Sequence, residues 1–225
     1  MQNIRLTDRD YYIIREIDRW RVILSRHIKE LTGFTGQRAC DRRLKKLMET
    51  GYITRKHILY GVPSIYRLTN KSKLLKPDAD VNAKIRVEQI THDIRVLDTA
   101  IQFHKEKNIP YSNMLTEKEL HKVDGYGNRK HQPDFVYTKN GKKICVEIEL
   151  SQKSKSKFEA NIKDNFMKYD TQIWVVPSLN GKIAHILRNH ISRYANIEIM
   201  NLEGTKDEST VNSMDTVQID TEILF

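Results

Sequence analysis

Residues 131–150 read HQPDFVYTKNGKKICVEIEL, and the fold of the C-terminal half turns on how this stretch pairs. Asn140-Gly141 sits between two runs rich in β-branched and aromatic residues. That predicts a hairpin, because the two-residue turn that matches strand twist needs positive φ at both positions, and Asn-Gly adopts it most readily. Such a turn sets Lys139 opposite Lys142, and the same register sets Asp134 opposite Glu147. Side chains so opposed sit about 5 Å apart at Cβ. Glu147 and Glu149 are two residues apart and share a strand face. Ile144, Val146, Ile148 and Leu150 point the other way and are the expected core. Three carboxylates on one face repel one another. A divalent cation is the expected compensation, because Mg²⁺ takes one or two carboxylates together with water and phosphate oxygens.

Beyond the hairpin the pattern is a crossover. Residues 155–168 are expected to be helical with Phe158, Ile162 and Phe166 on one face. Residues 172–177 (QIWVVP) then form a buried strand parallel to 144–150. A helix at 183–194, with Ile183, Leu187 and Ile191, leads to a strand at 196–200 and completes an α/β layer. Upstream, Glu117 and Glu119 place a further acid on a short helix or strand end. Gly125-Tyr126-Gly127 reads as a loop, and Lys130 and His131 precede Pro133-Asp134. A helix from about 82 to 107 carries Ile85, Ile90, Ile94, Leu97 and Ile101, with His92 beside that stripe as a core or interface residue.

The N-terminal third has its own signals. Thr7, with Asp10 three residues on, is a capping-box pattern ahead of a helix at 8–20 whose inner face is Ile13, Ile14 and Ile17. Ser25 is the expected cap of a second helix, 26–32, stopped by Gly33. Thr35 is the expected cap of a third, 36–50, with Leu44, Leu47 and Met48 inward and Gly51 ending it. Residues 52–60 and 64–68 flank Gly61-Val62-Pro63 and predict another hairpin. Three short helices and a hairpin make a winged helix-turn-helix. Its third helix carries Gln37, Arg38, Arg42, Arg43, Lys45 and Lys46, so its N-terminal end is expected in the major groove of duplex DNA while flanking cations meet phosphates. Arg55, Lys56 and His57 on the wing reach the backbone or the minor groove. The alternative is a winged helix used for protein contact, its cations simply solvated.

Charge is distributed to match. The net charge of the 225 residues is +10, and residues 1–76 hold 18 Lys and Arg against 7 Asp and Glu, whereas residues 77–225 hold 21 against 22. The whole excess lies in the first third, which points to a polyanion partner there and different work in the remainder. No apolar run approaches the roughly 18–20 residues of a bilayer span. The N-terminus lacks the apolar stretch of a secretory signal, and no membrane association is expected. Cys40 and Cys145 are the only cysteines, too few for a disulfide framework or a Cys-rich zinc site, so a cytoplasmic setting is expected.

Carboxylates on adjacent strands, with an acid upstream and a βαβ unit downstream, resemble the PD-(D/E)xK nuclease core. Pro133-Asp134 matches the PD, and Glu147-Ile148-Glu149 the tripeptide. Glu149 stands where that pattern has lysine, as it does in some nucleases of the superfamily. Lys153 supplies the missing cation if the chain turns back after the strand. The resemblance implies metal-assisted phosphodiester hydrolysis: Asp134, Glu147 and Glu149 hold Mg²⁺ or Mn²⁺, Glu119 is the upstream acid, and the metal activates a water. Two alternatives stay open, a hairpin with a solvated acidic face and a nuclease fold kept as scaffold.

The order of features over about residues 5–200 resembles the replication-relaxation family of Gram-positive plasmids and mobile elements. These features are a winged helix opening LTDRD at 6–10, His92-Asp93 in a linking helix, Glu117 and Glu119, Pro133-Asp134, VEIEL at 146–150 and Lys168-Tyr169. That resemblance implies a duplex-DNA-binding accessory to a relaxase or replication initiator at an origin. The expected architecture is mixed α+β and α/β. A winged helix-turn-helix (1–76) is joined by a long helix (77–108) to a nuclease-like α/β domain (109–202), and a tail (203–225) ends in a docking strand or runs free. A metal-dependent endonuclease and a winged-helix transcriptional regulator are the other expectations; a homodimer would read two half-sites.

Overall fold

A computed structural model describes residues 4–58, 60–125 and 131–202. They divide into two compact units. The first holds the described residues up to Ser112 together with Lys118–Gly125; the second holds Asn113–Glu117 and the described residues from His131 onward.

In the first unit, α1 (Asp8–Arg19), α2 (Ser25–Thr32) and α3 (Gln37–Glu49) precede an antiparallel hairpin of β1 (Ile53–Lys56) and β2 (Ile65–Leu68), and α4 (Ile90–Lys107) follows. The helices form where the apolar spacing put them. Ile13, Ile14 and Ile17 of α1, Ile28 and Leu31 of α2, and Cys40, Leu44 and Leu47 of α3 are all buried. Each large aliphatic among them is worth about 1.5–3 kcal/mol. Gly33 ends α2 at φ +64°, a left-handed turn that a Cβ would strain.

The Asp10 carboxylate accepts the Thr7 N–H at 2.7 Å and the Thr7 hydroxyl at 2.8 Å, so the expected pair caps α1. Two other caps differ from expectation. Leu24, not Ser25, is the N-cap of α2, and Nδ1 of His27 accepts its N–H at 3.2 Å, taking the place of a hydroxyl. That leaves the proton on Nε2, which donates to Asp98 Oδ1 of α4 at 2.9 Å and pins α2 to α4. Burial pushes the His27 imidazole pKa down, which keeps it in this neutral form. Gly36 rather than Thr35 is the N-cap of α3, and Met48 is half-buried.

The helix expected from about 82 begins only at Ile90. The carbonyl of Ala83, in the non-helical segment ahead of that helix, accepts an N–H of the Arg67 guanidinium. Ile85 still reaches the cluster of Val22, Leu24, Ile65, Ile90 and Ile94, but from a non-helical segment.

The second unit is a five-stranded mixed sheet in the order β3-β4-β5-β6-β7. Its strands β3 (Met114–Thr116), β4 (Phe135–Lys139) and β5 (Lys142–Ile148) are antiparallel, and β6 (Thr171–Val176) and β7 (Ile197–Asn201) continue parallel to β5. After β3 comes a short helix, α5 (Glu117–Asp124), whose residues from Lys118 on belong to the first unit; the crossovers of the sheet are α6 (Lys155–Lys168) and α7 (Lys182–Ile191). The hairpin register is the expected one: Lys139 pairs with Lys142 and Phe135 with Val146, around Asn140 at φ +52° and Gly141 at φ +76°. Phe158, Ile162, Trp174, Val176, Ala184 and Leu187 lie at the centre of the core.

Three expectations fail here. Phe166 is 40% exposed, and the inner stripe of α6 is Phe158, Asn161, Ile162 and Asn165, two of them polar. α7 stops at Ile191 rather than 194. Leu150 lies past the end of β5 and is only half-buried. The strand β3 was not foreseen, three residues being too few for an alternating pattern to show. Tyr126 and Gly127 of the expected loop, Lys130, and the expected tail at 203–225 lie outside the described residues. Among the described residues no helix is long and apolar enough to cross a membrane.

Candidate nucleic-acid interface and acidic cluster

On α3, burial of Cys40, Leu44 and Leu47 leaves Arg38, Asp41, Arg42, Lys45, Lys46 and Glu49 exposed. Two acids temper this face: Asp41 accepts the Gln37 amide at 2.8 Å, and Glu49 lies 3.8 Å from Lys45. Arg38, Arg42 and Lys46 make no ion pair among the described residues. Arg55, Lys56 and His57, at the end of β1 and just beyond it, are exposed.

Arg43 is placed otherwise. Its Nε donates to Asp10 Oδ1 at 2.6 Å, a second N–H donates to Asp10 Oδ2, and the Arg5 carbonyl accepts from it at 3.0 Å. Asp10 is 0% exposed. Burial pushes the Asp10 carboxyl pKa up, but the hydrogen bonds from Arg43 and Thr7 outweigh it and hold the group below its ordinary value. Of the six polar residues singled out on α3, Arg43 is the one bound to a buried acid, and from its half-buried position it ties α3 to the start of α1.

In the second unit the predicted acids converge. Glu147 pairs with Trp174 across the parallel ladder, which puts its carboxylate on the α6 side of the sheet. Its Oε1 accepts from Asn165 Nδ2 at 2.8 Å and from Nε2 of His131. Asp134, one residue ahead of β4, accepts the Ile148 N–H at 2.7 Å. Glu149 lies 2.6 Å from Lys153 Nζ. Burial pulls the Lys153 pKa down, but Glu149, Glu147 and Asp134 together hold it above its ordinary value. Burial pushes Glu149 up, and Lys153 offsets only part of that. For His131, burial works downward and the hydrogen bond to Glu147 reverses it, so the ring is held above its ordinary value.

Compensation for the opposed carboxylates thus comes from within the chain: His131, Lys153, the Asn165 amide and one backbone N–H. Among the described residues no three His, Cys, Asp or Glu side chains are grouped to hold a metal ion. Each of the three acids meets a donor within the chain, so a cation here would have to displace those contacts. Glu119, expected as the upstream acid, belongs to the first unit, where Arg19 Nε donates to it at 2.9 Å.

Sequence reasoning placed Asp134, Glu147, Glu149 and Lys153 and missed the roles of His131 and Asn165. A signal for Asn165 was present. Helical spacing sets Asn161 and Asn165 on the stripe with Phe158, and an inward-facing amide needs a partner. No protein-family model matches the chain, and a search of curated proteins finds no match.

Proposed function

We propose that the chain is a duplex-DNA-binding accessory protein for relaxation, replication or mobilisation at a plasmid or mobile-element origin. In this reading the first unit is a winged helix-turn-helix and the second a PD-(D/E)xK-like domain. The observation that carries it is the exposed row Arg38, Arg42, Lys45 and Lys46 on α3, backed by a buried apolar stripe and followed in the chain by exposed Arg55, Lys56 and His57. A helix with one apolar edge packed and the other cationic suits the major groove, with flanking cations on phosphates. The order of motifs along the sequence supports the accessory role, with a relaxase or replication initiator as partner.

Anisotropy titration of a short duplex across a salt series tests this. Affinity should fall steeply with salt. Arg42→Glu combined with Lys45→Glu should weaken binding at least about tenfold and flatten the log–log slope by roughly 0.9 for each phosphate that the variant no longer neutralises. Absence of binding at low salt removes the reading, and binding confined to a promoter favours a transcriptional regulator.

The convergence of Asp134, Glu147, Glu149 and Lys153 favours a second reading, a Mg²⁺- or Mn²⁺-dependent endonuclease. Supercoiled plasmid with either cation, wild type against Asp134→Ala, separates the two. We expect tight binding without cleavage from both proteins; cleavage by wild type that disappears in the variant establishes the enzyme.

A further inference from the structure

The tip of the first unit's hairpin carries an aromatic ring with no packing role. Tyr60 is 97% exposed, the most exposed large hydrophobic among the described residues. Its neighbours explain why it stays there. Ile58 and Val62, on either side of it in sequence, pack against the cluster of Val22, Leu24 and Ile65, so the tip is anchored while Tyr60 is held outward. Gly61 turns the chain at φ +76°. Arg55, Lys56 and His57, all exposed, come shortly before. An exposed ring on an anchored tip, close in sequence to three basic side chains, suits a polyanion that also offers flat apolar faces.

We propose that Tyr60 is a base-stacking wedge. With the hairpin cations on phosphates, the ring enters the minor groove and stacks on a base opened at a flexible pyrimidine–purine step. The inference rests on the duplex-DNA reading above and deepens it, since it adds a preference for deformable sequence to a contact that is otherwise electrostatic. The groove is about 6 Å wide and admits a ring but not a helix. Pyrimidine–purine steps open most easily, and side chains wedged into them bend the duplex toward the major groove. Stacking of one base on an aromatic ring is worth roughly tenfold in affinity.

The test uses the full chain and two duplexes of one sequence, one fully paired and one with a single bulged 2-aminopurine, which is already unpaired and so opens at lower cost. Wild type should bind the bulged duplex several-fold more tightly and quench the 2-aminopurine. Tyr60→Ala should abolish both the preference and the quench, with Tm and salt slope unchanged because the side chain supports nothing in the fold; Tyr60→Phe should keep both. Wild-type preference and quench in Tyr60→Ala overturn the wedge. So does equal binding of the two duplexes by wild type and Tyr60→Ala alike, which leaves the DNA reading intact. Failure of wild type to bind either duplex takes down the DNA reading and the wedge together.

Discussion

Replacing Asp10 by Ala should lower the stability of the first unit by about 3 kcal/mol or more, the cost expected when one partner of a buried ion pair is removed. The side chain is fully buried and has taken on three tasks: it caps α1 through Thr7, holds the Arg43 guanidinium, and through Arg43 fixes α3 against α1. Without it the guanidinium faces the start of α1 with no counter-charge. Arg43→Glu should be at least as damaging, since it sets a second carboxylate against the first. Arg42→Glu, one residue away and exposed, should leave Tm unchanged within error and weaken DNA binding instead. A fall of roughly 10 °C in Tm for the Asp10 and Arg43 variants, against none for Arg42, is the expected pattern. The pair also gives an acid limb. The folded pKa of Asp10 lies below its unfolded value. The stabilisation is therefore complete above about pH 4 and disappears as pH falls through the folded value. Asp10→Asn should flatten the acid limb of a Tm–pH profile; an unchanged limb would assign it to other carboxylates.

The contrast between Arg42 and Arg43 shows what the sequence could and could not reveal. At about 100° per residue, Arg42 falls opposite the stripe of Cys40, Leu44 and Leu47, and Arg43 falls on its edge. That much was readable. The partner was not, because Asp10 lies 33 residues away and its own local signal was a cap. Asn140-Gly141 worked because turn chemistry fixes register over a few residues, and every pair from Lys139–Lys142 to Phe135–Val146 follows from it. The same locality explains the misses. His27 took over a cap expected of Ser25 only because Asp98, in a helix far along the chain, accepts its other nitrogen. The start of α4 was misplaced, and among the contacts ahead of it one side chain from β2 takes the carbonyl of Ala83. Most patterns internal to one element were legible, with Phe166 of α6 an exception; donors and acceptors brought together by tertiary structure were not.

Glu147 carries the second large expectation, because its sign distinguishes two kinds of acidic cluster. Glu147→Ala should destabilise the second unit by about 3 kcal/mol: the buried Asn165 amide is left without its acceptor, at roughly 1–3 kcal/mol for an unsatisfied buried group, and the half-buried His131, held toward its charged form, loses its counter-charge. Glu147 is 4% exposed, so little water can take the carboxylate's place. Glu147→Gln can keep an oxygen where both donors meet and removes the charge, so its Tm should lie between those of Glu147→Ala and wild type. A cluster of uncompensated acids behaves in the opposite way. Removing one carboxylate there relieves repulsion, Tm rises, and added Mg²⁺ stabilises the wild type through its binding energy. Here His131, Asn165 and Lys153 already occupy the carboxylates, so Mg²⁺ should leave the wild-type Tm unchanged while Glu147→Ala lowers it. A Tm that rises on both counts would mean that the internal pairs yield readily to a cation, and would return the acidic cluster to the endonuclease reading.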